Sequence, residues 1–264
     1  MKSLTIVKIG GNVIDHRANL AEFLIQFASV KGAKILVHGG GKLATQLSDR
    51  LGIEAQLIDG RRITDAESLR IVTMVYAGII NKNIVAQLQA LKQNAIGLSG
   101  ADANLICAKK RPVKEIDYGF VGDLDESSVS AEGLKNILEQ GLIPVFSAIT
   151  HNGEGQLLNT NADTIAAALA AAMAPHYETS LVYCFEKKGV LRDVNDEESV
   201  IKTIDPESYN NLKNQGAIHS GMLPKLDNAF DTLRKGVKEV YIGKADKLNL
   251  LTTHNFGTRI HITT

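Results

Sequence analysis

Cysteine is scarce in this chain, two residues among 264, and proline is thin as well at five. Two cysteines cannot supply the disulfide framework of a small secreted scaffold, and Cys107 and Cys184 match no metal-ligand spacing. They read as two buried thiols in a reducing compartment. An excess of either charge is also missing. Lys+Arg and Asp+Glu both total 29, so no global field draws nucleic acid or an anionic membrane. Long apolar runs are missing too. The run in MKSLTIVKIGGN meets its glycines too soon for the apolar region of a signal peptide. The stretch IAAALAAAMA at 165–174 falls far short of the roughly 20 residues that span a bilayer. No Pro/Ser-rich linker and no repeat of fixed period divides the chain. These absences predict a cytoplasmic protein of enzyme size, with neither nucleic acid nor a membrane as partner.

What remains alternates between strand and helix. Residues 4–9 read as a buried strand ending at Gly10-Gly11-Asn12, followed by a helix whose Leu20, Phe23, Leu24, Phe27 and Ala28 recur at spacings of three and four. Residues 35–37 form a second strand, then a triple glycine opens a helix to about Leu51. Asp59-Gly60 marks a hairpin within 56–63, and a helix over 65–91 is opened by Thr64 or Asp65. Residues 112–124 fit irregular β-structure, Ser130 opens a helix and 142–147 is a strand. The last third repeats the rhythm, with helices over 162–172, 208–215 and 224–235 and strands over 181–185, 240–242 and 259–262. Strands alternating with helices predict an α/β fold with a parallel sheet covered on both faces.

The segment ILVHGGGKLAT holds the sharpest local signal, because three consecutive glycines weaken a chain that has no use for them. It is not a nucleotide P-loop: Leu36 stands five positions before Gly41, and Leu43 replaces the hydroxyl residue that would hold magnesium. Gly39, Gly41 and Ala44, with Asp59 about 20 residues on, do fit a dinucleotide fingerprint. That reading leaves Gly10-Gly11 unexplained. Side by side at the carboxyl edge of a parallel sheet, the two glycine turns would offer backbone N–H groups and two helix N-termini to one compact anion.

Several charged residues suit the same place. Lys8 interrupts VKIGG, where it either reaches solvent at the strand end or stands beside the anion. Asn161 reads as a helix N-cap and Asp163 as a first-turn acid, yet Asn159, Asn161 and Asp163 together also suit a polar substrate site. Lys225 follows Pro224 at a helix start, where the helix dipole prefers anions. Arg62, in DGRRIT, offers a planar fork for a carboxylate.

In order along the chain, VKIGGN, VHGGGK, DGRRIT, LLNTNAD, GMLPK and GTRI resemble the amino acid kinase family, in its branch acting on N-acylated glutamate. The resemblance implies a three-layer αβα sandwich around a largely parallel sheet, as one domain over 1–264. Its lobes would be 1–172 for the acylated amino acid and 173–264 for the nucleotide. It implies that ATP, with Mg2+ carried on its phosphates, phosphorylates the γ-carboxylate of N-acetyl- or N-succinylglutamate in arginine biosynthesis. Lys8 and Lys225 would flank the transferring phosphoryl group and Asp163 would orient both. Gly11, Gly40 and Gly41 would present amides; Arg62 and Asn159 would hold the substrate's α-carboxylate. Glu186, Gly189 and His219 would lie on the nucleotide side. The chemistry agrees: a side-chain carboxylate with a pKa of about 4.3 is already ionised at neutral pH and needs no general base.

Two segments depart from the family pattern. LVYCFEKKGV places Glu186 where an aspartate is usual, and GADAN, within GLSGADAN at 97–104, points to an altered acyl pocket such as one for N-succinyl. That turn and 118–122 are the expected acyl-binding segments. Arginine-inhibited relatives carry a helix before the first strand, whereas this chain begins almost at that strand. The expectation is a homodimer insensitive to arginine. Kinases of the same fold with other acceptors, a catalytically silent sensor and a dinucleotide oxidoreductase remain the alternatives.

Overall fold

Strand β1 (Ser3–Ile9) is buried from Leu4 to Ile9, the pattern of a central parallel strand covered on both faces. The computed structural model describes residues 1–58, 60–218, 222–253 and 255–262. After β1 come α1 (Gly11–Asp15), α2 (Arg17–Ser29), β2 (Ala33–His38) and α3 (Gly41–Arg50). A hairpin of β3 (Leu57–Ile58) and β4 (Arg61–Arg62) precedes a continuous run of α4 (Ala66–Thr73), a π-helical segment (Met74–Ile80) and α5 (Asn81–Ala90). Next are β5 (Ala95–Leu98), the small pair β6 (Lys109–Lys110) and β7 (Gly122–Asp123), and α6 (Ala131–Glu139). Then come β8 (Ile143–Ser147), the hairpin β9 (Ile149–His151) with β10 (Leu157–Asn159), and α7 (Ala162–Met173). The chain continues with β11 (Glu178–Phe185), β12 (Thr203–Ile204), α8 (Pro206–Asn214), α9 (Leu223–Arg234), β13 (Glu239–Lys244) and β14 (Thr258–Ile260).

Among the described residues eight strands form the central sheet, in the order β12-β14-β13-β11-β1-β2-β8-β5. All neighbours pair in parallel except β13 with β14. Helix α7 packs on β1, β2 and β11 with α6 and α9 beside it, while α2, α5 and a 3-10 run at Ala245–Thr253 form the opposing layer. The expected three-layer αβα sandwich is therefore the observed fold.

Local chemistry explains the helix starts. Asp65, Ser130 and Asn161 each accept backbone N–H groups as N-caps, and Asp205 forms a capping box with Ser208. The predicted helix over 65–91 exists, but its middle is π-helical, a widening that a 3.6-residue periodicity does not register. Ala66–Ala90 is long and apolar enough to cross a membrane by length and composition alone. Here Leu69, Val72, Val75, Ile80, Ile84 and Leu88 are buried in the core. Both cysteines are unpaired; Cys184 is buried in β11, but Cys107 is only half-buried, because it sits among the short strands outside the main sheet.

Candidate active site

Parallel strands β1, β2 and β11 point the same way, so the turns that leave them gather at one edge of the sheet. In open α/β sheets that carboxyl edge is where ligands bind. A cleft of about 460 Å³ lies there, lined by Lys8, Gly10, Gly11, Asp15, Lys42, Asp163, Phe185, Glu186, Gly189 and Lys225 among others. A larger hollow of about 660 Å³ lies between α6, α7 and α9 with the alanine face of α7 as its floor. It shares Asp163 but neither Lys8 nor Lys225, so those two lysines meet only in the smaller cleft.

Lys8, only 9% exposed, reaches across to α7, where its Nζ lies 2.7 Å from Asp163 Oδ1. Asp163 is fixed in the first turn of α7 because Asn161 Oδ1 accepts its backbone N–H at 2.8 Å, and Tyr183 donates its hydroxyl to the Asp163 carbonyl. Lys225 comes from the first turn of α9. Its Nζ stands 3.5 Å from the centre of the Phe185 ring, and Lys8 Nζ stands 5.3 Å from the same ring. Two ammonium groups from opposite ends of the chain thus share one aromatic ring as neighbour. Burial holds the Lys225 ammonium below its ordinary range; Asp163 opposes that shift and Lys8 adds to it.

Gly11 opens α1 beside this pair. Among the described residues a Cβ there would meet only Asp15 Oδ2, at 3.7 Å, so their packing does not demand a glycine. Its missing side chain leaves the cleft wall bare, as close approach of a ligand to backbone requires. Gly40 differs. Its φ is +152° and a Cβ would sit 2.2 Å from Ile80 Cδ1, so the π-helical segment itself excludes any side chain. Gly41 opens α3, whose first N–H groups have no intrahelical partner.

Arg62, 8% exposed, donates from Nη2 to the Gly41 carbonyl at 3.1 Å and to Thr45 Oγ1 at 2.7 Å. Its buried Nη1 has no hydrogen-bond partner among the described residues. Asn159 Nδ2 donates to Thr64 Oγ1 at 3.0 Å, and Thr64 donates in turn to the Arg62 carbonyl at 3.3 Å. Arg62 and Asn159 therefore form a second cluster, joined to the lysine cleft by the Gly41-Lys42 step and by the short chain from Asn159 to Asp163.

Glu186 and Gly189 both line the lysine cleft. Glu186 is exposed at the end of β11. A Cβ at Gly189 would lie 2.7 Å from Thr258 Oγ1 and 2.9 Å from Val200 Cγ1, so packing alone accounts for that glycine. His219 lies outside the described residues. Sequence reasoning misses Phe185, which carries no polar signal, and Asp15, whose carboxyl burial pushes up despite Lys42 at 3.9 Å. Lys42, the lysine of VHGGGK, stands with its Nζ at the cleft rim.

Residues 3–244 match the model of the amino acid kinase family. The chain is 56% identical over 263 residues to acetylglutamate kinase of Cytophaga hutchinsonii, covering 98% of this chain and 99% of that one. It is 51% identical over 260 residues to acetylglutamate kinase of Parabacteroides distasonis, covering 98% and 100%. Among solved structures, carbamate kinase from Giardia lamblia bound to AMP-PNP superposes with a TM-score of 0.72 at 12% identity, covering 98% of each chain; at that identity the likeness concerns the fold.

Proposed function

The chain belongs to the amino acid kinase family, and from that premise we propose that it transfers the γ-phosphoryl group of ATP to the γ-carboxylate of N-acetylglutamate, a step of arginine biosynthesis. The observation that carries the reading is the convergence of Lys8 and Lys225 on Phe185, with Asp163 fixing Lys8.

The acceptor carboxylate arrives ionised, so no proton need be removed. One of its oxygens forms a bond to the γ-phosphorus while the bond from that phosphorus to the β,γ-bridging oxygen breaks, releasing ADP and an acyl phosphate. The obstacle is one anion approaching another. Lys8 and Lys225 neutralise charge on the transferring group, and the amides of Gly11, Gly40 and Gly41 add fixed dipoles. Asp163 keeps Lys8 aimed and the site's net charge moderate. The Arg62 fork, with one nitrogen unpartnered, and Asn159 suit the acceptor's α-carboxylate. An acylated amine cannot attack the acyl phosphate from within the same molecule.

On this reading 1–172 binds the acylated amino acid and 173–264 binds the nucleotide, with Glu186, Gly189 and His219 on its side. Magnesium, when bound, would be held by the ATP phosphates and would supply additional positive charge; the cleft's Asp163 is already committed to Lys8. We assign the working form as a cytoplasmic homodimer. Support comes from Met74 and Ile79, 54% and 55% exposed on the helical run through the centre of the chain.

The test is an ATP-dependent assay in which hydroxylamine traps the acyl phosphate, run on N-acetylglutamate, N-succinylglutamate and free glutamate. Hydroxamate from an acylated substrate, with little from glutamate, is the expected result, and the ratio of the two acylated substrates assigns the acyl group. Failure to turn over either acylated substrate overturns the reading.

A further inference from the structure

The histidine of VHGGGK takes no part in the chemistry above, yet it is wholly buried at the last position of β2. His38 Nδ1 lies 2.9 Å from the Gly39 carbonyl, which can only accept, so Nδ1 carries the proton. Nε2 lies 3.1 Å from Asn81 Nδ2, an amide donor, so Nε2 accepts. The orientation of Asn81 is settled by its other contacts. Nδ2 also donates to the Val145 carbonyl at 2.9 Å, and Oδ1 accepts from Lys82 Nζ at 3.2 Å. Every polar atom of both side chains is thereby used, the condition under which a buried network rigidifies its surroundings.

The network has a steric counterpart. A Cβ on Gly97 would lie 2.0 Å from Asn81 Oδ1, so the first glycine of GLSGADAN makes room for this amide. Ile80, the residue before Asn81, is the one that occupies the space over Gly40. The junction between the π-helical segment and α5 thus touches the triple-glycine turn twice, once by packing and once through the imidazole. Widened helical turns of this kind cluster at functional sites.

We propose that His38 and Asn81 are positioning residues for the phosphoryl transfer, locking the Gly39-Gly40-Gly41 turn onto the π-helical segment so that its amides hold one direction toward the cleft. This deepens the kinase reading and rests on it. Neither residue touches substrate. The imidazole stays neutral throughout the cycle and works as a rigid spacer with one donor and one acceptor.

Three variants separate positioning from simple support of the fold. In His38→Asn an amide can stand where Nδ1–H stood and keep the link to Gly39. In His38→Gln the amide reaches toward Asn81 instead and the Gly39 link is lost. Asn81→Ala removes the far anchor. With hydroxamate formation measured well below each variant's melting temperature, kcat should fall about 10²-fold in His38→Gln, the loss that a misplacement of about 1 Å can cause. KM for the acylated acceptor should move less than threefold, His38→Asn should recover most of the loss, and the His38→Gln/Asn81→Ala double variant should lose little more than its worse parent. Long-range 1H–15N spectra of the wild type should show His38 as the Nδ1–H tautomer. Wild-type kcat in folded His38→Gln, equal losses in both histidine variants, or an Nε2–H tautomer overturns the proposal while leaving the kinase reading intact. A wild type inactive on every acylated glutamate overturns the kinase reading, and this proposal with it.

Discussion

Phe185 gives the two lysines a common neighbour, and its consequences are measurable one residue at a time. Lys225 is half-buried on α9, and Lys225→Ala leaves no carboxylate stranded, so the variant should fold normally. Its kcat should drop about 10²–10³-fold, the usual cost of one preorganised charge at a transition state. Circular dichroism and turnover together check this. Because burial lowers the Lys225 pKa, the alkaline limb of kcat/KM should fall below the ordinary lysine value of about 10.4. A limb at or above that value would contradict the assignment. Lys8 and Lys225 are legible in the sequence because a cation in a buried strand and a cation at a helix start each oppose a local preference. Phe185 is not, since an aromatic at a strand end looks like any core residue until the fold brings Lys225 over it.

At the scale of single elements, glycine and capping decide what forms. Gly40→Ala forces a side chain into Ile80 and into a positive-φ position. It should destabilise the protein by about 1–3 kcal/mol, read from the urea midpoint. Helix α2 ends on Lys34, whose buried Nζ donates to the carbonyls of Phe27, Ala28 and Val30 at 2.8–3.0 Å. Lys34→Met removes all three bonds, leaving the Phe27 carbonyl only the Val30 N–H at 3.2 Å, and should cost about 1–3 kcal/mol in the same measurement. The starts of α4, α6 and α7 are legible beforehand from Asp65, Ser130 and Asn161. The role of Lys34 is not, because a lysine early in a strand says nothing about a helix end packed beside it. The π-helical turn escapes for a similar reason: MVYAGII is equally apolar on either helical period.

For the molecule as a whole, His38 makes stability depend on pH between about 4 and its ordinary value. Burial lowers its pKa to about 4, while the unfolded chain takes up that proton near the ordinary value of about 6.5. Between those values the unfolded state binds more protons, so stability falls as pH drops from 6.5 toward 4. Urea midpoints at pH 7 and pH 5 should differ more for the wild type than for His38→Asn. The αβα architecture is legible in the strand-helix alternation, and the six ordered segments place Lys8, Asp163 and Lys225 close together in prospect. The resemblance already sets Arg62 and Asn159 apart from the lysines; what is not legible is that Arg62 is held by the Gly41 carbonyl and Thr45, since that depends on how β4 lies against α3. The most direct test of the central claim is single-turnover phosphoryl transfer from labelled ATP in Lys8→Ala, Lys225→Ala and the double variant. If both ammonium groups serve one phosphorus atom, each single variant loses at least about 10²-fold and the double loses far less than the product. Wild-type transfer in either folded single variant, or losses that simply multiply, would contradict the account.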